Sequence, residues 1–189
     1  MNNSNTNRYE MRLTGSGGQG VIMASVILAE AAIIQGKNAI QSQAYGPEAR
    51  GGTSKAETII GENELWYSKV NKPNFLLALT QEALDKYLDD TADDAIILID
   101  SSLHLPEGAD TDSSKIGSSK KVYSLPILKT ARDEIGKPMT ANIVAVGAIN
   151  KLAGLFTEEA LQDAVKRHIP RGTEDLNMRA LAAGEALAN

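Results

Sequence analysis

Apolar and polar positions fall into alternating blocks along this chain. Residues 8–14 read as a first strand, and residues 20–35 place Ala24, Ile27, Leu28, Ala31 and Ile34 at helical spacing, with Val21, Ile22, Val26 and Ile33 on the remaining faces. A helix apolar nearly all round lies inside a core or beneath another chain, and the core is the simpler expectation for a first helix packed on a sheet. Gly36 is placed to end it. Residues 38–43 read as a second strand, and 55–60 with 65–67 as a β-hairpin across Gly61-Glu62-Asn63-Glu64, with Trp66 packed upon it. The short apolar runs 75–79 and 95–100 have the character of central strands covered on both faces. Between them, 81–88 is helical and capped by Thr80.

The stretch 101–119 is rich in Ser, Asp and Gly and reads as a surface excursion before a last strand at 122–125. Four helices are expected after it: 127–135 following Pro126, 142–155, 158–169 capped by Thr157, and 174–187. Strands alternating with helices, plus one hairpin, predict a three-layer α/β/α sandwich with a mixed, mostly parallel sheet, Rossmann-like in its opening unit. A single module over residues 8–189, behind a flexible tail at 1–7, fits the length of 189 residues.

Composition narrows the chemistry. Nineteen basic and twenty-four acidic side chains give a net charge of −5 with no Lys/Arg run, so no nucleic-acid footprint is expected. No cysteine is present, which removes disulfides, thiolate metal sites and any iron–sulfur cluster held by this chain's own thiolates. The start of the chain lacks a basic segment followed by an apolar one, and no apolar run approaches the ~20 residues of a membrane span. A cytoplasmic protein with no membrane partner is the expectation.

The candidate chemistry sits in two glycine-rich loops. Gly15, Gly17 and Gly20, with Ser16, Gly18 and Gln19 between them, satisfy G-x-G-x-x-G, in which small residues allow a tight turn and close approach to a pyrophosphate. A nicotinamide site also requires an acidic residue about 20 positions on. The second strand offers Gln41-Ser42-Gln43 instead. Anion binding and simple strand-to-helix packing both remain open for this turn. Val21-Ile22 stands where a P-loop places its Lys and hydroxyl, which excludes that motif. The second loop, Tyr45-Gly46-Pro47-Glu48-Ala49-Arg50-Gly51-Gly52, gathers an aromatic ring, a fixed φ and both signs of charge, and should meet the first at one edge of the sheet. His104 and His168 have no metal-ligand or nucleophile partner at useful spacing and read as structural. Ser42, Ser54 and Ser101 lack a nucleophile elbow. No catalytic residue and no metal site is assigned to this chain alone.

Both loops closely resemble the two signature loops of the gamma subunits of 2-oxoacid:ferredoxin oxidoreductases. The resemblance extends to Leu79-Thr80-Gln81-Glu82-Ala83, Thr140-Ala141-Asn142 and the closing Ile169-Pro170-Arg171-Gly172-Thr173-Glu174-Asp175-Leu176-Asn177. It is nearest in pattern to the 2-oxoglutarate version, while pyruvate, branched-chain oxoacid and indolepyruvate versions share much of it. The resemblance implies a complex that decarboxylates a 2-oxoacid on thiamine diphosphate with magnesium, passes electrons through iron–sulfur clusters to ferredoxin, and releases a coenzyme A thioester. The cofactors would belong to alpha and beta partners, with a ferredoxin-like delta subunit as a further candidate. This chain has neither cysteines nor a Gly-Asp-Gly with a distal Asn, so its implied part is assembly and closure of the site, with part of the coenzyme A path as a further candidate role. Its two glycine loops are the expected contact surface, with Gln19 and Arg50 as polar anchors. A stand-alone nucleotide-binding module and a purely structural subunit are the competing readings. Without partners, a homodimer is expected.

Overall fold

A computed structural model describes residues 8–45, 53–105 and 119–189. The tail expected at 1–7 and most of the excursion expected at 101–119 lie outside them. Six strands, β1 (Arg8–Ser16), β2 (Asn38–Tyr45), β3 (Thr53–Gly61), β4 (Phe75–Ala78), β5 (Ile96–Asp100) and β6 (Lys121–Leu125), form one sheet in the order β2-β3-β1-β4-β5-β6. Strands β1, β4, β5 and β6 run parallel, and β3 runs antiparallel to both β1 and β2. The helices are α1 (Val21–Ile34), α2 (Gln81–Tyr87), α3 (Ile127–Lys129), α4 (Ala141–Ala153), α5 (Glu158–His168) and α6 (Glu174–Leu187).

The strand pattern decides the layers. On one face Met11, Leu13, Phe75, Leu77 and Leu98 pack with α1, α4 and the later helices, while Leu76, Ala78, Ile97 and Ile99 turn to the other face and meet Leu84 and Leu88 around α2. Because β4 and β5 are covered on both sides, their sequences are continuous apolar runs rather than alternations. The expected α/β architecture with its mixed, mostly parallel sheet is therefore the observed one, with unequal outer layers. Helix α1 also lies in the core as expected, with Ala24, Ile27, Leu28, Ala31 and Ala32 fully buried. It is held to β3 by a buried hydroxyl pair. Thr58 Oγ1 donates to the Ser25 carbonyl (3.1 Å), which leaves the Ser25 hydroxyl to donate to Thr58 Oγ1 (2.7 Å).

The hairpin is not where the sequence placed it. Residues 65–67 form no strand, and β3 pairs instead with β2 and β1. With both edges of β3 occupied, residues 65–67 cannot pair with it as the expected hairpin required. The carbonyls of Tyr67 and Lys69 are taken by the Arg8 guanidinium, at 3.1 and 2.9 Å. Trp66, expected to pack on that hairpin, is 81% exposed. The expected helix 127–135 is also altered: after one α turn the chain widens, and the Ile135 N–H reaches the Thr130 carbonyl at 3.0 Å, five residues back.

Helix α4 is buried from Ala141 to Ile149 and crosses α6 at backbone contact. A Cβ on Gly147 would overlap the Leu181 carbonyl oxygen, and one on Gly184 would overlap that of Val144. Neither neighbour can yield, since both are helix backbone. Gly184→Ala is therefore expected to cost about 1–3 kcal/mol or more in urea unfolding, although the same exchange at an open helical site is worth ~0.5–1 kcal/mol in the opposite direction. An unchanged midpoint would mean that the two helices do not touch here.

Candidate functional site

Adjacent parallel strands β1 and β4 send their chains in opposite directions, β1 to α1 on one face and then to β2, β4 to α2 on the other face and then to β5. Open α/β sheets hold ligands in the crevice beyond the carboxyl ends of such a strand pair. The first glycine loop stands there, and its own side chain closes the gap. Gln19 Oε1 accepts the Ser16 N–H at 2.8 Å, and its Nε2 donates to the Leu79 carbonyl at the end of β4, at 3.4 Å. The amide bridges both strands. A Cβ on Gly15 would come within 2.5 Å of Gln19 Oε1, so glycine at 15 makes room for that side chain. Ser16 is the last residue of β1, Gly17 and Gly18 form an exposed turn with Gly18 at φ 92°, and Gly20 at φ 74° opens α1.

Topology also separates this loop from a dinucleotide cradle. In such a cradle the second strand neighbours the first and carries the carboxylate for the ribose. Here β3 lies between β1 and β2, which moves the end of β2 two strand spacings, about 9.5 Å, from β1.

The second loop is described only at its base. Tyr45 ends β2 and pairs with Ser54 on β3, which in turn pairs with Gly15 on β1. The two glycine segments thus leave the same end of the sheet on neighbouring strands, while Gly46, Pro47, Glu48, Arg50, Gly51 and Gly52 lie outside the described residues. Beside this base, Thr53 Oγ1 donates to Glu82 Oε1 at 2.5 Å, and α2 is capped by Thr80, whose hydroxyl accepts the Ala83 N–H at 3.4 Å.

On the α1 side a groove of about 440 Å³ draws together three separate sequence segments. Gly18 and Gly20 come from the first loop, Thr140 and Asn142 from the start of α4, and Pro170 and Asn177 from the approach to α6. Each is locally fixed. A Cβ on Gly20 would sit 2.8 Å from Asn142 Nδ2, so the left-handed glycine also permits a close approach of two helix starts. Thr140 donates its hydroxyl to the Lys137 carbonyl at 2.8 Å, and Asn177 Nδ2 donates to the carbonyl and hydroxyl of Thr173 at 2.9 and 3.0 Å. The rim is apolar, with Met139 at 87% and Met23 at 40% exposure.

The sequence showed these motifs but not their convergence, and nothing in the periodicity marked Met23 or Met139 as rim residues. Of the two histidines, His168 lines the groove and His104 does not. His104 donates its backbone N–H to Gln81 Oε1 at 2.9 Å, and His168 ends α5 with Nε2 4.0 Å from Glu30 Oε2.

A family model described as pyruvate ferredoxin/flavodoxin oxidoreductase matches residues 10–187. The 2-oxoglutarate synthase subunit KorC of Methanocaldococcus jannaschii is 40% identical over 186 residues, 96% of this chain and 94% of that one. Subunit VorA of the ketoisovalerate oxidoreductase of Methanothermobacter thermautotrophicus is 37% identical over 179 residues, which span 92% of this chain and 35% of that longer one. The crystal structure of a keto/oxoacid ferredoxin oxidoreductase gamma subunit from Geobacter sulfurreducens PCA aligns with a TM-score of 0.83 at 42% identity, covering 96% of each chain.

The Gly20–Asn142 contact can be measured. Gly20→Ala is expected to cost about 1–3 kcal/mol from the strained φ and the clash together. In a double-mutant cycle with Asn142→Ala, the coupling should recover about 0.5–1 kcal/mol of that loss. Strict additivity in urea unfolding would show that the two helix starts are independent.

Proposed function

Because the chain belongs to the pyruvate ferredoxin/flavodoxin oxidoreductase family, we propose that it is the gamma subunit of a 2-oxoacid:ferredoxin oxidoreductase whose oxoacid is 2-oxoglutarate. Near end-to-end similarity to a 2-oxoglutarate synthase subunit carries this reading. The complex oxidatively decarboxylates its oxoacid to the acyl-coenzyme A and passes the electrons to ferredoxin.

Thiamine diphosphate, magnesium and iron–sulfur clusters supply that chemistry, and the residues of this chain do not fit them. It has no cysteine for a cluster and no Gly-Asp-Gly with a distal Asn for a magnesium diphosphate. Among the described residues no three acidic or imidazole groups come together as a metal site. Those groups therefore reside on the alpha and beta partners, with ferredoxin or a ferredoxin-like delta subunit receiving electrons beyond them. The gamma chain contributes shape. Its groove and the loop ends beside it present fixed backbone and an apolar rim, the kind of surface that partner subunits desolvate. The Gln19 plug and the intervening strand β3 favour this over a free nucleotide site. A branched-chain oxoacid is the second reading, supported by the similarity to the ketoisovalerate subunit. Freed of its partners, the chain is a homodimer.

Reconstitution tests the assignment. The purified chain alone should not reduce a viologen dye, whereas addition of the alpha and beta subunits should yield reduction that depends on both 2-oxoglutarate and coenzyme A. Turnover by this chain unaided would overturn the subunit role, and preference for 2-oxoisovalerate would transfer the substrate to the second reading. Met139→Glu places a charge on the groove rim at little cost to folding, and should weaken assembly on the order of tenfold if a partner covers it.

A further inference from the structure

Among the described residues, no strand pairs with the outer edge of β2, the terminal strand of the sheet on that side. Exposed edges invite pairing with other chains, and soluble proteins blunt them with charge, proline or a bulge. The opposite edge follows the rule, since β6 opens on the exposed Lys121. Strand β2 does not. Asn38-Ala39-Ile40-Gln41-Ser42-Gln43-Ala44-Tyr45 has neither charge nor proline, and its pairing to β3 runs without a bulge from Asn38 opposite Gly61 to Tyr45 opposite Ser54. No residue from Asn38 to Ala44 is buried. Beside the first half of the strand, Asn38, Ala39 and Ile40 form a shallow groove with Glu64, Leu65 and Trp66, and Trp66 and Tyr67 stand 81% and 77% exposed.

We propose that this edge is where a second copy of the chain docks, β2 against β2 in antiparallel register about a twofold axis that passes between the two strands at their midpoints, joining two six-stranded sheets into one.

Charge distribution selects the occupant. A strand free of charge meets its own copy without repulsion. The neighbouring Lys37, Glu62 and Glu64 cluster at its amino end, so antiparallel pairing holds the two acidic groups at opposite ends of about 27 Å of edge. A twofold contact also uses one surface twice, which suits an edge whose aromatic flank lies to one side. The proposal deepens the homodimer reading above by naming its face, and it is independent of which oxoacid the complex uses.

Light scattering on the full chain across a dilution series tests it, with the single tryptophan as reporter. The wild type should show twice the monomer mass of 20.1 kDa at high concentration. Trp66 emission should move to the red as the dimer dissociates. Ser42→Lys sets two like charges near the axis while leaving each lysine across from Glu57 on β3, so it should fold normally and weaken dimerisation on the order of tenfold. Far-ultraviolet circular dichroism and thermal melting verify that fold. A Ser42→Lys chain as dimeric as wild type, or Trp66 emission indifferent to dilution, would overturn this face while leaving the homodimer standing. A strictly monomeric wild type would overturn both. If Trp66 shifts only when alpha and beta subunits are added, the edge belongs to a different chain and the proposal fails.

Discussion

Backbone-to-backbone contact along α4 sets the geometry on which the rest of the molecule depends. Gly147 and Gly184 allow α4 and α6 to touch without side chains between them, and Gly20 allows the start of α1 to rest against Asn142 at the start of α4. One buried helix therefore registers two others. Small residues along α1 extend the same principle to the sheet, where Ala24, Ala31 and Ala32 are fully buried and Ser25 reaches Thr58. Dense packing of this kind moves as discrete units rather than deforming smoothly. The groove bounded by these helix starts is consequently a rigid feature, and rigidity is what a surface needs if it is to hold its shape against partners.

The first glycine loop shows how a motif can keep its spacing and change its use. In a dinucleotide fold the turn brings bare backbone to a pyrophosphate, and the second strand delivers a carboxylate. Here Gln19 folds back across the gap between β1 and β4, and β3 displaces β2 from its usual place beside β1. The first glycine accordingly admits a side chain from its own loop. The resulting plug joins the two strands on either side of the switch point, so the end of the sheet is closed by a side chain at the place where open α/β sheets hold ligands.

Most elements were legible because their signals are local. The helical spacing of α1, the Thr80 and Thr157 caps, and the unbroken apolar runs of β4 and β5 each follow from a few adjacent residues. The hairpin was misplaced because strand pairing is not local. Residues 65–67 have strand-like composition, but β3 had already spent both edges on β1 and β2, a fact visible only once the sheet is assembled. The wide turn at Thr130 escaped for a similar reason: composition does not distinguish a ring closed five residues back from one closed four back. At the candidate site the individual motifs could be read, including the glycines and Thr140-Ala141-Asn142. Their convergence could not, since residues 20, 142 and 177 meet only through the packing of three helices.

The face of the sheet opposite α1 explains why contact with other chains should gather at the sheet's end and at β2. Among the described residues, α2 is the one helix on that face, and beyond it polar side chains complete the layer. Buried Arg12 donates to Glu57 at 2.8 Å and to Asp90 at 2.7 Å, reaches the Val70 carbonyl at 3.2 Å, and lies 5.2 Å from the centre of the Tyr87 ring. Removing an arginine and a carboxylate from water costs several kcal/mol per ion, and only a set of bonds this complete offsets it. The guanidinium therefore draws the segments around Val70 and Asp90 down over β1 and β3 and seals them. A partner approaching there would have to break a satisfied buried network, which is far more costly than covering Met139 or pairing with β2. Among the described residues, the surfaces left available are those whose apolar atoms remain in water, as Met139 and Met23 do at the groove, and the β2 edge, with which no described strand pairs.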